Sequence, residues 1–239
     1  MPFRGGDLVA WSWGEGPRVL LVHGWGGHAG RLTSFVDPLV AAGLSVVAFD
    51  APGHGKSPGR WCTLPDFVEA ILAVADSTGP VSAVVAHSMG ATACALALRS
   101  GLGAGRAVLI APPANPEHYV AKFARFFGIP APTRDSMKMR LASRYGTRWQ
   151  DLRIDGPGPT GCRLLVFHDG RDPTVPVRDG LAVVRGWRDA SLVLTSGLGH
   201  HRILREPGVV SNAITFLSGE EGEPGVNAVR QLAYRGGRA

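Results

Sequence analysis

The chain has few cysteines, and they follow no pairing pattern. Cys62, Cys94 and Cys162 are an odd number of thiols and lie far apart in a sequence of 239 residues. Neither a C-x-x-C pair nor a cysteine–histidine cluster suggests a zinc site or a redox pair, and a chain of this length can bury a core without such staples. We therefore expect three free thiols in a reducing compartment and no metal site.

Long apolar runs are also missing. No segment approaches the roughly 18 uninterrupted apolar residues of a membrane-spanning helix. The N-terminal stretch MPFRGGDLVAWSWGEG has neither the apolar segment nor the small-residue cleavage site of a secretory signal. These absences predict a cytoplasmic protein without a membrane span.

Positive charge is in excess but is not concentrated in runs. The formal net charge is +6, yet the only lysines are Lys56, Lys122 and Lys138, and the arginines are scattered. Since no recognisable nucleic-acid module accompanies them, we expect no nucleic-acid partner. Hydrophobic residues make up 45% of the chain and charged residues 18%, which indicates a globular fold.

Short apolar runs rich in β-branched residues alternate with helical patterns along the chain. The runs lack polar alternation, which fits strands covered on both faces, as in a parallel sheet. The predicted strands are Leu8–Trp13, Arg18–His23, Leu44–Phe49, Val81–His87, Ala107–Ile110, Arg163–His168 and Leu192–Thr195. The predicted helices are Gly30–Ala42, Leu64–Asp76, Met89–Ser100, Arg178–Trp187 and Leu204–Leu217. This alternation predicts an α/β fold with a doubly wound, mostly parallel sheet.

One segment interrupts the alternation. Residues 113–152 contain two helix patterns without a strand, the first ended by Gly128 and Pro130 and the second predicted over Thr133–Tyr145. They carry seven basic and three acidic residues, a net charge of +4, which is either a solvated helix face or a surface that steers an anionic substrate. Because the insertion is longer than a connection needs, it predicts a small helical cap.

The cap divides the predicted domain. We expect an α/β core made of residues 1–112 and 153–218, with the cap over residues 113–152. Residues 219–239 are rich in glycine and charge, which predicts a C-terminal extension or frayed tail.

Ser88 lies in the stretch VVAHSMGATA, between an apolar run and an alanine-rich helix pattern. A nucleophilic serine on a sharp strand–turn–helix elbow needs small residues two positions to either side. Ala86 and Gly90 are small, although Ala86 replaces the first glycine of the G-x-S-x-G signature. The alternative is a serine that only caps the helix, and this stretch alone leaves both interpretations open.

A reactive serine needs a general base, and the base needs an orienting carboxylate. Two loops beyond predicted strand ends supply candidates, HDGRDPTVP with Asp172 and GLGHHRIL with His200. Open α/β sheets place their sites at this edge. The order serine, acid, histidine is also the order typical of hydrolases with a serine on a strand–turn–helix elbow.

Four blocks of the sequence, in this order, resemble the α/β-hydrolase superfamily over residues 8–217. They are VLLVHGWGG, FDAPGHGKS, AHSMG, and the pair HDGRDPTVP with GLGHHRIL. The resemblance implies an α/β-hydrolase fold with the cap inserted after strand six. It also implies that Ser88 is the nucleophile, Asp172 the acid and His200 the base.

Each of the two loops offers a second candidate. In the family pattern H-G-x-x-D-x-x-V-P the acid is the fifth residue, which is Asp172. Asp169 stands at the usual glycine position and is interpreted as a turn or helix-capping residue. His200 follows Gly199 as the pattern G-x-G-H requires, and His201 is interpreted as its neighbour on the loop.

The resemblance also implies an oxyanion hole made of backbone N–H groups. The two donors would be Met89, directly after the nucleophile, and Trp25, in a loop that Gly24 and Gly26 allow to turn. The Trp25 side chain either lines the substrate pocket or packs over its own loop. The other candidate pocket residues are His87, Tyr119, Phe123, Phe126 and Phe127. The four cap aromatics among them could equally pack the cap onto the core.

These expectations describe a serine hydrolase that needs no cofactor. We predict a carboxylesterase that acts on small-molecule esters of short to medium acyl chains through an acyl-enzyme. The same three residues would serve a thioesterase, a lactonase, another acyl hydrolase or an acyltransferase. A ligand-binding receptor with slow turnover, or a cofactor-free lyase, haloperoxidase-like or dioxygenase-like relative, also remains open. Haloalkane dehalogenases are disfavoured because their nucleophile is an aspartate. The sequence does not indicate an oligomeric state.

Overall fold

A sheet of eight strands organises the part of the chain that the structure describes, residues 1–219 and the backbone of residues 230–235. The protein was studied as a computed structural model. Two short strands, β1 (Pro2–Phe3) and β2 (Gly6–Asp7), form a separate N-terminal hairpin that the sequence patterns did not predict. The strands of the large sheet are β3 (Ala10–Trp13), β4 (Arg18–Val22), β5 (Ser45–Phe49), β6 (Ala83–His87), β7 (Arg106–Ile110), β8 (Arg163–Asp169), β9 (Asp189–Thr195) and β10 (Arg230–Arg235).

The large sheet has the predicted doubly wound, mostly parallel arrangement. Its strand order is β10-β9-β8-β7-β6-β4-β5-β3, and only the two outermost strands run antiparallel to their neighbours. Along the chain, β3 lies at one edge, β4 lies two places further in with β5 between them, and the strands from β6 to β10 then follow one another to the other edge. The carboxyl ends of β4, β6, β8 and β9 therefore meet at one edge.

Helices cover both faces of this sheet. They are α1 (Val36–Ala41), α2 (Leu64–Thr78), α3 (Met89–Arg99), α4 (Pro116–Phe126), α5 (Ala131–Tyr145), α6 (Val177–Gly186), α7 (Gly199–Arg202) and α8 (Pro207–Ser218). Alternate residues of the parallel strands enter two separate apolar cores. One core holds α2, α3 and α6, and the other holds α1 and α8. This two-sided burial explains why the strand sequences lack polar alternation.

Two predicted helices have different boundaries in the structure. The helix predicted over Gly30–Ala42 is a 3-10 segment, Ala29–Phe35, followed by the short α1. The helix predicted from Leu204 begins at Pro207, after a separate 3-10 turn over Ile203–Arg205. Proline lacks an N–H group and is favoured in the first turn of a helix, so it marks the start of α8.

The insertion between β7 and β8 consists of α4, α5 and a 3-10 turn over Trp149–Leu152. We call residues 113–152 the cap, and its exact boundaries remain a prediction. β7 is the strand that the family comparison numbered six, although it is the fifth of the large sheet along this chain. In α4 only Pro116 and Ala124 are buried, and α5 buries no residue. The cap is therefore attached to the core by few apolar contacts.

The predicted C-terminal extension is only partly described. The backbone of Arg230–Arg235 pairs antiparallel with β9, whereas residues 220–229 and 236–239 lie outside the described residues. Among the described helices, none combines the length and the apolar composition needed to cross a bilayer.

Candidate active site

Ser88 occupies a strained turn between β6 and α3. Its backbone has φ +53° and ψ −129°, a region that costs a residue other than glycine about 1–3 kcal/mol. The neighbours explain the need for small residues, because Ala86 is fully buried and a Cβ on Gly90 would overlap the His23 carbonyl oxygen. The Ser88 side chain makes no capping hydrogen bond to α3. Its hydroxyl is therefore left for a different partner.

That partner is His200. The His200 Nε2 atom lies 2.9 Å from Ser88 Oγ, and the His200 Nδ1 atom lies 2.7 Å from Asp172 Oδ2. The side chains of His200 and Asp172 are 5% and 0% exposed. Three residues from three different loops thus form one continuous chain of hydrogen bonds at the carboxyl edge of the sheet.

The loop after β8 holds Asp172 in its charged form. Asp172 Oδ1 accepts hydrogen bonds from the N–H groups of Thr174, at 2.8 Å, and Val175, at 2.9 Å. Burial would raise the pKa of Asp172, but the hydrogen bonds from His200, Val175 and Thr174 outweigh it and keep that pKa below its usual value. Asp172 is therefore ionised at neutral pH and can orient and stabilise a protonated His200.

Asp169, the second carboxylate of this loop, contacts the backbone of the loop that carries His200. Its Oδ2 accepts hydrogen bonds from Leu198 N and Thr195 Oγ1, both at 2.9 Å, and its Oδ1 accepts one from Arg171 N at 2.9 Å. Leu198 directly precedes α7, the short helix that contains His200. Asp169 therefore has the turn and capping contacts that its sequence position suggested, and it also joins the acid loop to the histidine loop.

Two further histidines lie beside His200, and within residues 1–219 neither forms a hydrogen bond with the Ser88 hydroxyl. His87 is buried, and its Nε2 donates a hydrogen bond to the His200 carbonyl oxygen at 2.9 Å. Burial lowers the pKa of His87 to about 3, so its ring is neutral. His201 is exposed, and its ring centroid lies 5.0 Å from that of His200. His87, predicted as a pocket residue, thus binds the backbone of His200. His201 is the neighbour of His200 on the loop.

The glycine loop after β4 lies directly against Ser88. Gly27 N donates to Gly24 O at 3.0 Å, and a Cβ on Gly24 would come within 2.9 Å of the Ser88 Cβ. Within residues 1–219, the N–H groups of Trp25 and Met89 donate to no other protein group. Both predicted oxyanion donors are therefore unengaged and belong to segments that meet at Ser88. The Trp25 side chain is 60% exposed.

His23 anchors this glycine loop. Burial lowers the pKa of His23 to about 4, which keeps the ring neutral. Its Nδ1 donates to the Gly24 carbonyl oxygen at 2.7 Å, and its Nε2 accepts from Ala51 N at 3.0 Å. One histidine thus connects the glycine loop to the segment after β5. Within residues 1–219, no three histidine, cysteine or acidic side chains are grouped to hold a metal ion.

The cap places its aromatic side chains in two different environments. The Tyr119 hydroxyl donates to Asp179 Oδ2 at 2.8 Å and faces a groove between the cap and the Asp172 loop. Phe123, Phe126 and Phe127 are 57%, 82% and 61% exposed, and the Phe127 ring lies 4.5 Å from that of Phe123 and 5.0 Å from that of Phe126 between centroids. These three predicted pocket residues form an exposed cluster and do not line that groove. Helical periodicity identified the apolar face of α4, but it could not show which part of the face the core covers.

The groove also contains residues that the sequence patterns did not single out. Its volume is about 910 Å³, and it extends from the cap to the acid loop and the start of α6. Its charged lining residues are Lys122, Arg125, Arg134, Asp172, Arg178 and Asp179. For Lys122, Arg125 and Arg134, the signal in the sequence was the net positive charge of the cap.

Comparisons with known proteins agree with this architecture. Residues 16–155, more than half of the chain, match the family model of serine aminopeptidase S33. The mouse α/β hydrolase domain-containing protein 10 superposes with a TM-score of 0.68 at 19% identity, over 90% of this chain and 93% of that chain. At this level of identity the likeness concerns the fold alone.

Two curated proteins match over shorter stretches. A monoacylglycerol lipase of Mycolicibacterium smegmatis is 39% identical over 90 residues, which is 34% of this chain and 32% of that protein. A pimeloyl-[acyl-carrier protein] methyl ester esterase of Methylococcus capsulatus is 49% identical over 45 residues, 19% of this chain and 17% of that protein. The matched region thus spans less than a third of either relative.

Proposed function

Because this chain belongs to the serine aminopeptidase S33 family and is a hydrolase of the α/β-hydrolase fold, we propose that it is a carboxylesterase for small esters of short to medium acyl chains. The observation that carries the proposal is the continuous hydrogen-bond chain from Ser88 through His200 to Asp172. A lipase and a methyl ester esterase among the similar proteins support ester cleavage as the reaction class.

The proposed first half-reaction acylates Ser88. His200 Nε2 removes the hydroxyl proton while Ser88 Oγ attacks the ester carbonyl carbon, and Asp172 stabilises the resulting imidazolium. The carbonyl oxygen becomes an oxyanion that accepts hydrogen bonds from the N–H groups of Trp25 and Met89, each worth about 3 kcal/mol in comparable sites. The bond to the alcohol oxygen then breaks, and His200 transfers its proton to the leaving alcohol.

The second half-reaction releases the acid. His200 removes a proton from water, and the water oxygen attacks the acyl carbon that Ser88 holds. The same two N–H groups stabilise the second oxyanion. When the bond to Ser88 breaks, His200 returns the proton to Ser88 Oγ and the carboxylic acid leaves. A thioester or lactone would follow the same steps with a different leaving group.

A cytoplasmic location is part of this proposal. All three cysteines of the chain lie within residues 1–219 and are buried free thiols. Free thiols are typical of proteins in a reducing compartment. The proposed partner is a small-molecule ester.

Replacement of Ser88 tests the reaction directly. We expect Ser88→Ala to reduce kcat on p-nitrophenyl butyrate by about 10³-fold or more, because no other group can take over the nucleophilic attack. A fluorophosphonate should label the wild-type protein at Ser88 and leave the variant unlabelled. Ser100→Ala, a change at an exposed serine at the end of α3, is the matched control and should keep full activity. Undiminished turnover in Ser88→Ala would refute the proposal.

A substrate panel separates ester cleavage from the alternatives. The wild-type protein should hydrolyse butyryl esters faster than the corresponding thioester and lactone. If no ester, thioester or lactone is turned over above background while a ligand raises the Tm, a binding protein with a slow active site is the better description.

A further inference from the structure

The groove beside the Asp172 loop is lined by charged groups from two parts of the chain. The cap contributes Lys122, Arg125 and Arg134, and the first turn of α6 contributes Arg178. The carboxylates on the lining are Asp172 and Asp179. Four cations therefore share a cleft of about 910 Å³ with two carboxylates.

The two carboxylates are occupied by hydrogen bonds within the protein. Asp172 binds His200 and the backbone of its own loop. Asp179 is 8% exposed, and its Oδ2 accepts hydrogen bonds from the Tyr119 hydroxyl and from Ala114 N. The lining therefore keeps an excess of positive charge, with four basic side chains against two carboxylates.

The cations are less occupied than the carboxylates. Arg134 forms an ion pair with Asp135, and Lys122 Nζ lies 3.4 Å from the Thr174 carbonyl oxygen. Arg125 and Arg178 are exposed, and neither takes part in an ion pair within residues 1–219. Guanidinium groups bind carboxylates and phosphates through paired N–H donors. Two exposed arginines in the lining of one groove, one from the cap and one from α6, thus suit an anion that binds there.

The groove adjoins the loop that carries the proposed acid. Asp172 is among its lining residues and binds His200, which binds Ser88 Oγ, and the Asp172 side chain itself is 0% exposed. We propose that this groove is a binding site for the anionic end of the substrate, a carboxylate or a phosphate, with Arg125 and Arg178 as its main ligands. The inference rests on the proposed ester hydrolysis, because it assigns the far end of a molecule whose carbonyl lies at Ser88.

Two esters with the same leaving group test the site. p-Nitrophenyl octanoate is neutral, and mono-p-nitrophenyl suberate carries one carboxylate at the far end of an acyl chain of the same length. We expect Arg125→Glu and Arg178→Glu each to lower the ratio of kcat/KM for the anionic ester to that for the neutral ester by about tenfold or more, mainly through KM. High salt should lower the same ratio in the wild-type protein.

A matched variant distinguishes a specific anion-binding site from a general effect of the cap's positive charge. Arg140→Glu makes the same charge change on α5 at an exposed arginine that does not line the groove, and it should leave the ratio within about twofold of the wild-type value. An unchanged ratio in both groove variants would overturn the inference. So would an equal decrease in Arg140→Glu, because the effect would then come from the whole basic cap.

Binding without turnover gives an independent readout. Glutarate or inorganic phosphate should raise the Tm of the wild-type protein and of Ser88→Ala, and the rise should be absent in the double variant R125E/R178E. A larger rise with glutarate assigns the site to carboxylates, and a larger rise with phosphate assigns it to phosphate groups. If the wild-type protein hydrolyses neither ester, the proposed function fails, and this measurement still decides the anion site: no rise with either anion would refute it.

Discussion

The loops around Ser88 and the cap differ in how they are held. In the loops, buried carboxylates bind backbone N–H groups of neighbouring segments, as Asp172 and Asp169 do, and His200 is almost completely enclosed. In the cap, α5 buries no residue, and its charged side chains form pairs at the surface. Buried hydrogen bonds fix geometry, whereas surface ion pairs contribute little. The proposed chemistry thus lies among buried hydrogen bonds, whereas the proposed anion recognition uses exposed arginines, Arg125 of the cap and Arg178 of α6.

Two of the contacts between the cap and the core are similar. The Tyr119 hydroxyl binds Asp179 and the Tyr145 hydroxyl binds Asp66, each at 2.8 Å. Asp66 also belongs to the capping box of α2 with Thr63, so the second contact ends on a fixed carboxylate. These hydrogen bonds, near the start of α4 and at the end of α5, add to the few apolar contacts that attach the cap to the core.

Replacing one carboxylate in each region should give the largest difference between them, measured as kcat. Asp172→Asn is expected to lower kcat on p-nitrophenyl butyrate by about 10⁴-fold, because the neutral amide no longer favours the required form of His200. Asp151→Asn, at an exposed ion pair of the cap, should leave kcat within about twofold. A variant Asp172→Asn that keeps more than a tenth of the wild-type kcat would contradict the assigned role.

Asp169 tests the connection between the two loops. Asp169→Gly introduces the residue usual in the family pattern and removes three hydrogen bonds from a fully buried position. We expect the free energy of unfolding to fall by about 3 kcal/mol and kcat to decrease with little change in KM. Urea unfolding and steady-state kinetics measure both. Asp169→Asn retains an acceptor oxygen, so its free energy of unfolding and its kcat should lie between those of the wild type and of Asp169→Gly. If both quantities are unchanged in Asp169→Gly, the connection is dispensable.

Acid should destabilise the core more than the cap. Burial keeps His23 and His87 neutral, with pKa values lowered to about 4 and about 3, while the unfolded chain takes up protons near pH 6.5. Since the unfolded state binds more protons as pH falls below that value, each histidine should remove about 2 kcal/mol of stability between pH 7 and pH 5. Urea unfolding at both pH values measures this loss.

Two variants show which histidines cause the loss. His87→Gln should reduce the loss of stability between pH 7 and pH 5 by about 2 kcal/mol. His118→Gln, at an exposed histidine of the cap, should leave that loss unchanged. An identical pH dependence in His87→Gln and wild type would rule out His87 as a source.

The smallest expected effects lie on α4. Tyr119→Phe should cost about 1 kcal/mol of stability, because it removes one hydrogen bond from the buried Asp179. Phe126→Ser, on the same helix but 82% exposed, should change stability by less than about 0.5 kcal/mol. Thermal unfolding compares the two. A larger cost for Phe126→Ser would mean that the exposed aromatic cluster is covered in solution.

Local patterns in the sequence predicted much of this fold. Apolar runs located seven strands of the large sheet to within a few residues, and the sheet and its two-sided cover are confirmed. They missed the N-terminal hairpin, whose strands have two residues each, and β10, whose composition resembles a tail. Short or polar strands depend on their partners for stability, so their own residues carry little signal.

For the candidate site, the amino-acid sequence settled which side chains were available and in what order: Ser88, Asp172 and His200 each follow a strand that ends at the same edge. The folded chain decided their distances, the connection through Asp169, the exposure of Phe123, Phe126 and Phe127, and the arginines that share one groove. The physical reason is the distance along the chain over which each kind of interaction acts. Periodicity and turn chemistry act over a few neighbouring residues, whereas contacts between residues far apart in the chain exist only after the sheet has brought its loops together.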